Sequence, residues 1–183
     1  NKISSLRMYY LTLFLKEKNQ VTVMCKKDEV GGLNRSTNGL NIIYFNHLLE
    51  GITFIKNNKG FDKIISSYGP TSAHILGYIA KKMNPQAFWL ADYRDLWMSG
   101  NYYTEEKQNI SKKIKILIEK IIIKESNEIV TVSNGLAKNL EEFHKRKVHV
   151  IYNGYEESIP INLFNSRNNK NQIKIITYMM LLN

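Results

Sequence analysis

Short apolar runs alternate with amphipathic stretches along most of the chain. Apolar residues spaced three and four apart predict a helix over residues 5–18, and the β-branched run over residues 21–25 predicts a strand. A predicted strand followed by a predicted helix then recurs three times: residues 62–65 with 71–84, residues 86–91 with 105–126, and residues 127–133 with 134–145. A last strand is predicted from residue 147. This alternation predicts a Rossmann-like, doubly wound α/β fold, with a mostly parallel sheet and helices on both faces.

Two segments are less clear from the pattern. Residues 26–41 are polar and contain Gly31-Gly32, which predicts a loop, and a helix is favoured for residues 45–58. The longest helical pattern, residues 105–126, aligns Ile110, Ile114, Leu117 or Ile118, and Ile121 and carries six lysines. We expect this apolar stripe to pack on the sheet with the lysines in solvent; the alternative is a basic amphipathic helix on an anionic membrane.

Four polar clusters follow predicted strands. They are Ser66 to Pro70, including Ser67, Tyr68 and Gly69; Asp92 to Trp97, including Arg94 and Asp95; Ser133 with Asn134; and Asn153 with Gly154. Ligands bind open parallel sheets at the carboxyl ends of the strands, so the four clusters are expected to meet in one crevice.

The cluster around Asp92 supports two interpretations. Asp92 and Asp95 could act as a general base or orient a hydroxyl group, and Arg94 could hold a phosphate or carboxylate with two hydrogen bonds. Alternatively, Arg94 pairs with one aspartate under Trp97 and the cluster is structural. His74 follows the first cluster and could reach the crevice, although a packing or surface role is the more common one for such a histidine.

Composition restricts these possibilities only in part. The chain has 183 residues, of which 43% are hydrophobic and 23% charged, as in one ordinary globular domain. A net charge of +10 favours an anionic partner, but the lysines are spread along the chain. The single Cys25 excludes a disulfide framework, the four histidines lack metal-ligand spacing, and no dinucleotide or P-loop glycine motif is present.

Four phrases stand in the same order as in a known family: "DKIISSYGPTSAHILGYIAKK", "FWLADYRDLW", "NEIVTVSNGLAKNL" and "VHVIYNGYEE". Together they resemble the N-terminal half of bacterial GT-B glycosyltransferases of the large family 4, especially polysaccharide-assembly members with an RDLW or RDPW phrase. The resemblance covers residues 5–157. It implies two Rossmann-like domains facing a cleft, of which the N-terminal one binds the acceptor and the C-terminal one the nucleotide-sugar donor.

The resemblance also implies retention of anomeric configuration without a metal or other cofactor. Arg94, Asp95 and Trp97 match the phrase at the cleft floor, and Asp92 matches a cleft-facing acid or histidine. The expected roles are catalytic for Asp92 and Asp95, and acceptor-binding for Arg94, Trp97 and the loop of Ser67, Tyr68 and Gly69. Cleft or hinge positions are expected at Ser133, Asn134, Asn153 and Gly154.

In this interpretation residues 1–157 form the acceptor-side domain without the family's first strand, residues 158–172 a linker, and residues 173–183 the start of a truncated second domain or a tail. We expect a domain that is inactive without its donor domain, binds a sugar or lipid-linked acceptor, and lies in the cytoplasm or on the inner face of the plasma membrane. No nucleic acid is expected. The alternatives are half of a sugar-nucleotide epimerase, or a non-catalytic basic module that binds anionic lipid or nucleic acid.

Overall fold

A computed structural model describes residues 4–26, 40–69, 71–97, 110–153 and 180–182. The helices in these ranges are α1 (Ser4–Lys16), α2 (Leu48–Asn57), α3 (Thr71–Met83), α4 (Ile110–Glu125) and α5 (Asn134–His144). The strands are β1 (Val21–Lys26), β2 (Asn41–Phe45), β3 (Lys63–Ser67), β4 (Phe88–Tyr93), β5 (Glu128–Thr131), β6 (His149–Val150) and β7 (Met180–Leu182).

All described strands belong to one sheet in the order β2-β1-β7-β3-β4-β5-β6. The pairs β1–β2, β3–β4, β4–β5 and β5–β6 are parallel. Only β7, which lies between β1 and β3, runs antiparallel to its neighbours. The predicted Rossmann-like α/β fold is therefore confirmed. The predicted domain and linker boundaries fall among residues 154–179, outside the described residues.

The two faces of the sheet carry different helices. Successive strand side chains point to opposite faces, and Ile64 packs in a core with residues of α2, α3 and α4, whereas Ile65 packs with Met8 of α1. A third core joins β4 and β5 to α5 through Ala91, Ile129 and Leu140. Because Ala91 has the same orientation as Trp89 of the first core, α5 lies on the same face as α3 and α4.

Two strand boundaries differ from those expected. Strand β2 occupies Asn41–Phe45, where the sequence pattern favoured a loop followed by the start of a helix. The strand forms because each of its five residues pairs with a residue of β1, from Thr22 to Lys26. Strand β4 continues through Asp92 and Tyr93, which were expected in a loop, because both residues have partners on β5. The helix expected from residue 45 begins at Leu48.

Helix α4 overturns one expectation. The apolar stripe that was predicted to pack on the sheet is exposed: Ile110 by 78%, Ile114 by 52%, Leu117 by 58%, Ile118 by 37% and Ile121 by 41%. The residues of α4 that are buried are Glu119, Ile122 and Ile123. Ile122 belongs to the core under α3 and Ile123 to the core under α5. Because these two residues determine which side of α4 faces the protein, the predicted apolar stripe faces away from it. No helix in the described ranges is long and apolar enough to cross a membrane.

Candidate functional site

The carboxyl ends of β3, β4, β5 and β6 lie at one edge of the sheet, because these four strands are parallel. Strand β3 ends in Ser66 and Ser67, and β4 ends in Asp92 and Tyr93. This is the edge at which open parallel sheets bind ligands. The polar clusters expected from the sequence at residues 66–69 and 92–97 therefore lie side by side.

On the α1 side of the sheet, Ser67 connects the two strand ends. Its hydroxyl group donates a hydrogen bond of 2.8 Å to Oδ2 of Asp92 and accepts one of 3.0 Å from Nε of Arg94. Arg94 also donates through Nη2 to the carbonyl oxygen of Tyr68. Arg94 thus fixes the loop after β3 by donating to Ser67 and Tyr68. We call Ser67, Asp92, Arg94 and the residue described next, Arg7, the α1-side network.

Arg7 brings α1 and the end of β6 into this network. Its Nη2 lies 3.6 Å from Oδ1 of Asp92. Its Nη1 donates to the carbonyl oxygens of Ile151 at 2.8 Å and Tyr152 at 3.2 Å, and to Oδ1 of Asn153 at 3.2 Å. One guanidinium group therefore links the start of α1, the end of β4 and the end of β6.

Asp92 carries a carboxyl group that is almost completely buried, with the residue 2% exposed. Burial raises its pKa, while Arg7, the hydrogen bond from Ser67 and Arg94 act in the opposite direction. Within the described residues Oδ1 accepts no hydrogen bond, because Nη2 of Arg7, at 3.6 Å, is close enough for an ion pair but too far for a hydrogen bond. Asp92 is thus held in place from two sides and shielded from solvent.

On the α3 side, Ser66 organises a second buried group, the α3-side network of Ser66, His74, Trp89 and Tyr93. The Ser66 hydroxyl accepts a hydrogen bond of 2.9 Å from the indole N–H of Trp89 and lies 2.8 Å from Nδ1 of His74. Burial, with a smaller contribution from Arg94, lowers the pKa of His74 to about 3. The imidazole is therefore neutral at pH 7, and a Ser66 hydroxyl that donates to Nδ1 leaves the ring proton on Nε2.

Two aromatic rings of this network, those of His74 and Tyr93, pack against each other. The His74 and Tyr93 ring centroids are 4.4 Å apart. Neither Nε2 of His74 nor the hydroxyl oxygen of Tyr93 has a hydrogen-bond partner in the part of the chain that the structure describes. Burial raises the pKa of Tyr93 well above its usual value, followed in effect by Glu119 and Tyr68, so the phenol is neutral too.

Aromatic rings pack beside the α3-side network at the edge of the sheet. Tyr68 stacks on His74, Tyr93 and Trp97 with centroid distances of 6.0, 6.1 and 6.1 Å. Tyr68 and Trp97 are half-buried, and Asp95 between the strand end and Trp97 is exposed. Burial raises the pKa of Tyr68, and Asp95 adds to this effect. We call Tyr68, Asp95 and Trp97 the rim, since they follow the ends of β3 and β4 and are at least partly exposed to solvent.

The residues expected in the site thus fall into three groups. The chain brings together Ser67, Tyr68, Gly69, Asp92, Arg94 and Trp97, adds Asn153 through Arg7, and leaves Asp95 exposed in the same loop as Arg94 and Trp97. Ser133 caps α5 by accepting a hydrogen bond of 3.3 Å from the N–H of Leu136, and Asn134 is exposed in the first turn. Gly154 lies outside the described residues.

Four residues of the site were missed or undervalued by the sequence patterns: Arg7, Ser66, His74 and Tyr93. Arg7 had one usable signal, since a cation in the first turn of a helix opposes the helix dipole and needs a compensating partner. His74 was expected in a packing role or at the crevice; it is fully buried in the α3-side network. No three His, Cys, Asp or Glu side chains cluster at metal-binding distance in the described ranges.

Comparisons with protein-family models, with curated proteins and with solved structures found no match for this chain.

Proposed function

We propose that this chain is the acceptor-binding half of a retaining glycosyltransferase that moves a sugar from a nucleotide-sugar donor to a polysaccharide or lipid-linked acceptor. The observation that carries the proposal is the arrangement of Ser67, Asp92, Arg94 and Asn153. These residues belong to three of the phrases that resemble the GT-B enzymes, and Arg7 joins two of their strand ends at one edge of a parallel sheet. In the proposal, a second domain binds the donor.

The two aspartates take different roles in this proposal. Asp95 is exposed at the rim, so its carboxylate can accept a hydrogen bond from an acceptor hydroxyl and favour attack of that oxygen on the donor sugar. Asp92 is buried and bonded to Ser67. It therefore acts as a positioning residue, which fixes the end of β4 and with it the direction of the loop that carries Asp95.

The rim also suits the shape of a sugar. Tyr68 and Trp97 offer half-buried rings 6.1 Å apart, and ligand sites commonly combine such aromatic surface with a few oriented polar groups. A pyranose ring has an apolar face of C–H groups that can lie on an aromatic ring while its hydroxyls reach a carboxylate. No metal or other cofactor enters this proposal.

Activity of a two-domain enzyme that contains this domain tests the proposal. Asp95→Asn should reduce kcat/KM for sugar transfer by roughly tenfold or more, since a hydrogen bond to a charged group is worth about 1.5–3 kcal/mol. Asp62→Asn is the matched control, because Asp62 is an exposed aspartate just before β3, at the opposite edge of the sheet. Equal loss in both variants, or no loss in Asp95→Asn, would show that Asp95 has no role in transfer.

A further inference from the structure

Helix α4 exposes a continuous apolar surface that none of the described elements covers. Its members are the five residues Ile110, Ile114, Leu117, Ile118 and Ile121, which we call the outer face of α4. At 100° per residue these five positions fall within about one third of the helix circumference. The neighbouring α3 differs, because its buried residues, among them Leu76, Gly77 and Ala80, face the sheet.

Positive charge borders the outer face on one side. Helix geometry puts Lys113, Lys120 and Lys124 next to Leu117, and all three lysines are exposed. The ammonium group of Lys120 lies 5.4 Å from the centre of the Phe143 ring, which keeps it near the helix surface. The helix thus presents aliphatic side chains beside a row of cations.

The two acidic residues of α4 do not neutralise this row. Glu119 is fully buried, with Oε1 3.3 Å from Nε2 of His144 on α5. Glu125 forms an ion pair of 2.8 Å with Lys82 of α3. One carboxylate therefore points into the protein, and the other is matched by a lysine from a different helix.

We propose that the outer face of α4 docks on an anionic membrane surface. A helix that lies in the plane of a bilayer buries aliphatic side chains at the headgroup boundary while its lysines contact lipid phosphates. The charge pattern argues against a second copy of this chain, because a two-fold contact through this face would bring the same lysines together. Five aliphatic residues would also serve little purpose against nucleic acid, which is bound by cations and aromatic rings.

The orientation of α4 relates this surface to the site. Helix α4 connects two parallel strands, β4 and β5, so it starts at the carboxyl edge of the sheet and returns to the amino edge. Ile110 and Ile114 are therefore the part of the outer face nearest to the rim. A membrane on α4 would lie beside the rim, which suits an acceptor presented by a lipid, although the docking itself does not rest on the proposed function.

Vesicle co-sedimentation of the whole chain tests the docking. We expect the chain to bind vesicles of phosphatidylcholine with phosphatidylglycerol, to bind pure phosphatidylcholine vesicles much less, and to dissociate as salt is added. Leu117→Asp should weaken binding to the anionic vesicles by roughly tenfold or more, because it puts a carboxylate where the docked helix would bury an aliphatic group in the lipid. The double variant Lys113→Glu/Lys124→Glu should weaken binding by a similar factor.

Leu49→Asp on α2 is the matched control, since Leu49 is 73% exposed and lies on another helix. It should bind vesicles as the wild type does, and all variants should keep the wild-type far-UV spectrum and melting temperature because each change is at the surface. Equal binding by Leu117→Asp and wild type would overturn the proposal. So would equal binding to both lipid compositions, or a dimer without vesicle binding that Leu117→Asp dissociates.

Binding of a short oligonucleotide without binding of either vesicle would overturn the proposal in favour of a nucleic-acid surface. Vesicle binding needs no donor sugar and no second domain, so it can succeed where the sugar-transfer assay fails and fail where that assay succeeds.

Discussion

Ser66 and Ser67 are neighbours on β3, and both are buried, yet they belong to different networks on opposite faces of the sheet. Ser66 contacts His74 and Trp89 on the α3 side. Ser67 contacts Asp92 and Arg94 on the α1 side. Each serine therefore contacts one buried side chain whose pKa is shifted by burial: His74 for Ser66 and Asp92 for Ser67.

The difference lies in the charges around the buried group. Among the described residues no carboxylate shifts the pKa of His74, and Arg94 adds to the effect of burial, so the imidazole loses its proton. For Asp92 the same Arg94 and also Arg7 oppose the effect of burial. The α3-side network is thus a neutral support, whereas the α1-side network holds charges at the edge where a polar ligand would bind.

The largest effect that we expect concerns acid and His74. Its pKa in the folded chain, about 3, lies below the unfolded value of 6.5. The unfolded state therefore binds the proton first, and the stability due to neutral His74 is present above pH 6.5 and is lost as the pH falls towards 3. Between pH 7 and pH 4 the loss is about 3 kcal/mol, at 1.36 kcal/mol for each pKa unit.

Urea unfolding of wild type and His74→Gln at pH 7 and pH 4 measures this loss. The free energy of unfolding of the wild type should fall by about 3 kcal/mol more than that of the variant, since glutamine does not titrate. Parallel losses in the two proteins would mean that His74 is not held neutral.

The next effect concerns the packing of the α3-side network. A Cβ at Gly77 would lie 2.9 Å from both the Ser66 hydroxyl oxygen and the Trp89 indole nitrogen. Gly77→Ala should therefore lower the free energy of unfolding by about 1–3 kcal/mol, as overpacked core residues do. Gly51→Ala on α2 is the control, because the atoms nearest to its Cβ are side-chain methyl groups of Leu76, at 3.1 Å, and of Met24, at 3.5 Å. A Gly77→Ala variant as stable as wild type would show that the network tolerates displacement.

A smaller effect should follow from the corresponding change on the α1 side. Gly69 has φ +100, and a Cβ there would lie 2.8 Å from Nη2 of Arg94. Gly60 has a similar φ of +89 but no atom near the same position, so Gly60→Ala reports backbone strain alone. Gly69→Ala should cost about 0.5–1.5 kcal/mol more than Gly60→Ala, through the loss of the hydrogen bond from Arg94 to Tyr68. Equal costs would mean that Arg94 does not fix this loop.

The smallest effect should come from Asp92 and have the opposite dependence on pH. Its folded pKa is raised, so the stability due to protonated Asp92 is present below the unfolded pKa and is lost as the pH rises through the folded pKa. The free energy of unfolding of Asp92→Asn minus that of wild type should therefore be larger at pH 6 than at pH 3. This change should be smaller than the His74 effect, because Arg7 and Arg94 oppose the rise in the pKa of Asp92. Asp62→Asn, at an exposed position, should show no such change; a change of equal size in both variants would contradict the prediction.

Local patterns predicted the fold because alternation of strands and helices depends on nearby residues. They also predicted the polar clusters at the strand ends, since parallel topology brings carboxyl ends to one edge. They did not predict strand β2, because its five residues run directly into the helical pattern after Phe45. They also predicted the wrong buried side for α4, because this helix carries apolar residues on more than one side. Arg7 could not be assigned, because its partners at residues 151–153 are more than 140 positions away.

The two tryptophans of the chain provide the most direct test of the site. Trp89 donates its indole N–H to Ser66 in the α3-side network and is fully buried, whereas Trp97 is half-buried at the rim. In ¹H–¹⁵N spectra of this chain titrated with the methyl glycosides of glucose, galactose and N-acetylglucosamine, we expect at least one sugar to shift the indole signal of Trp97. The signal of Trp89 should stay in place, and Asp95→Asn should weaken the response. A Trp97 signal that no sugar moves, or two indole signals that move together, would contradict a sugar site at the rim.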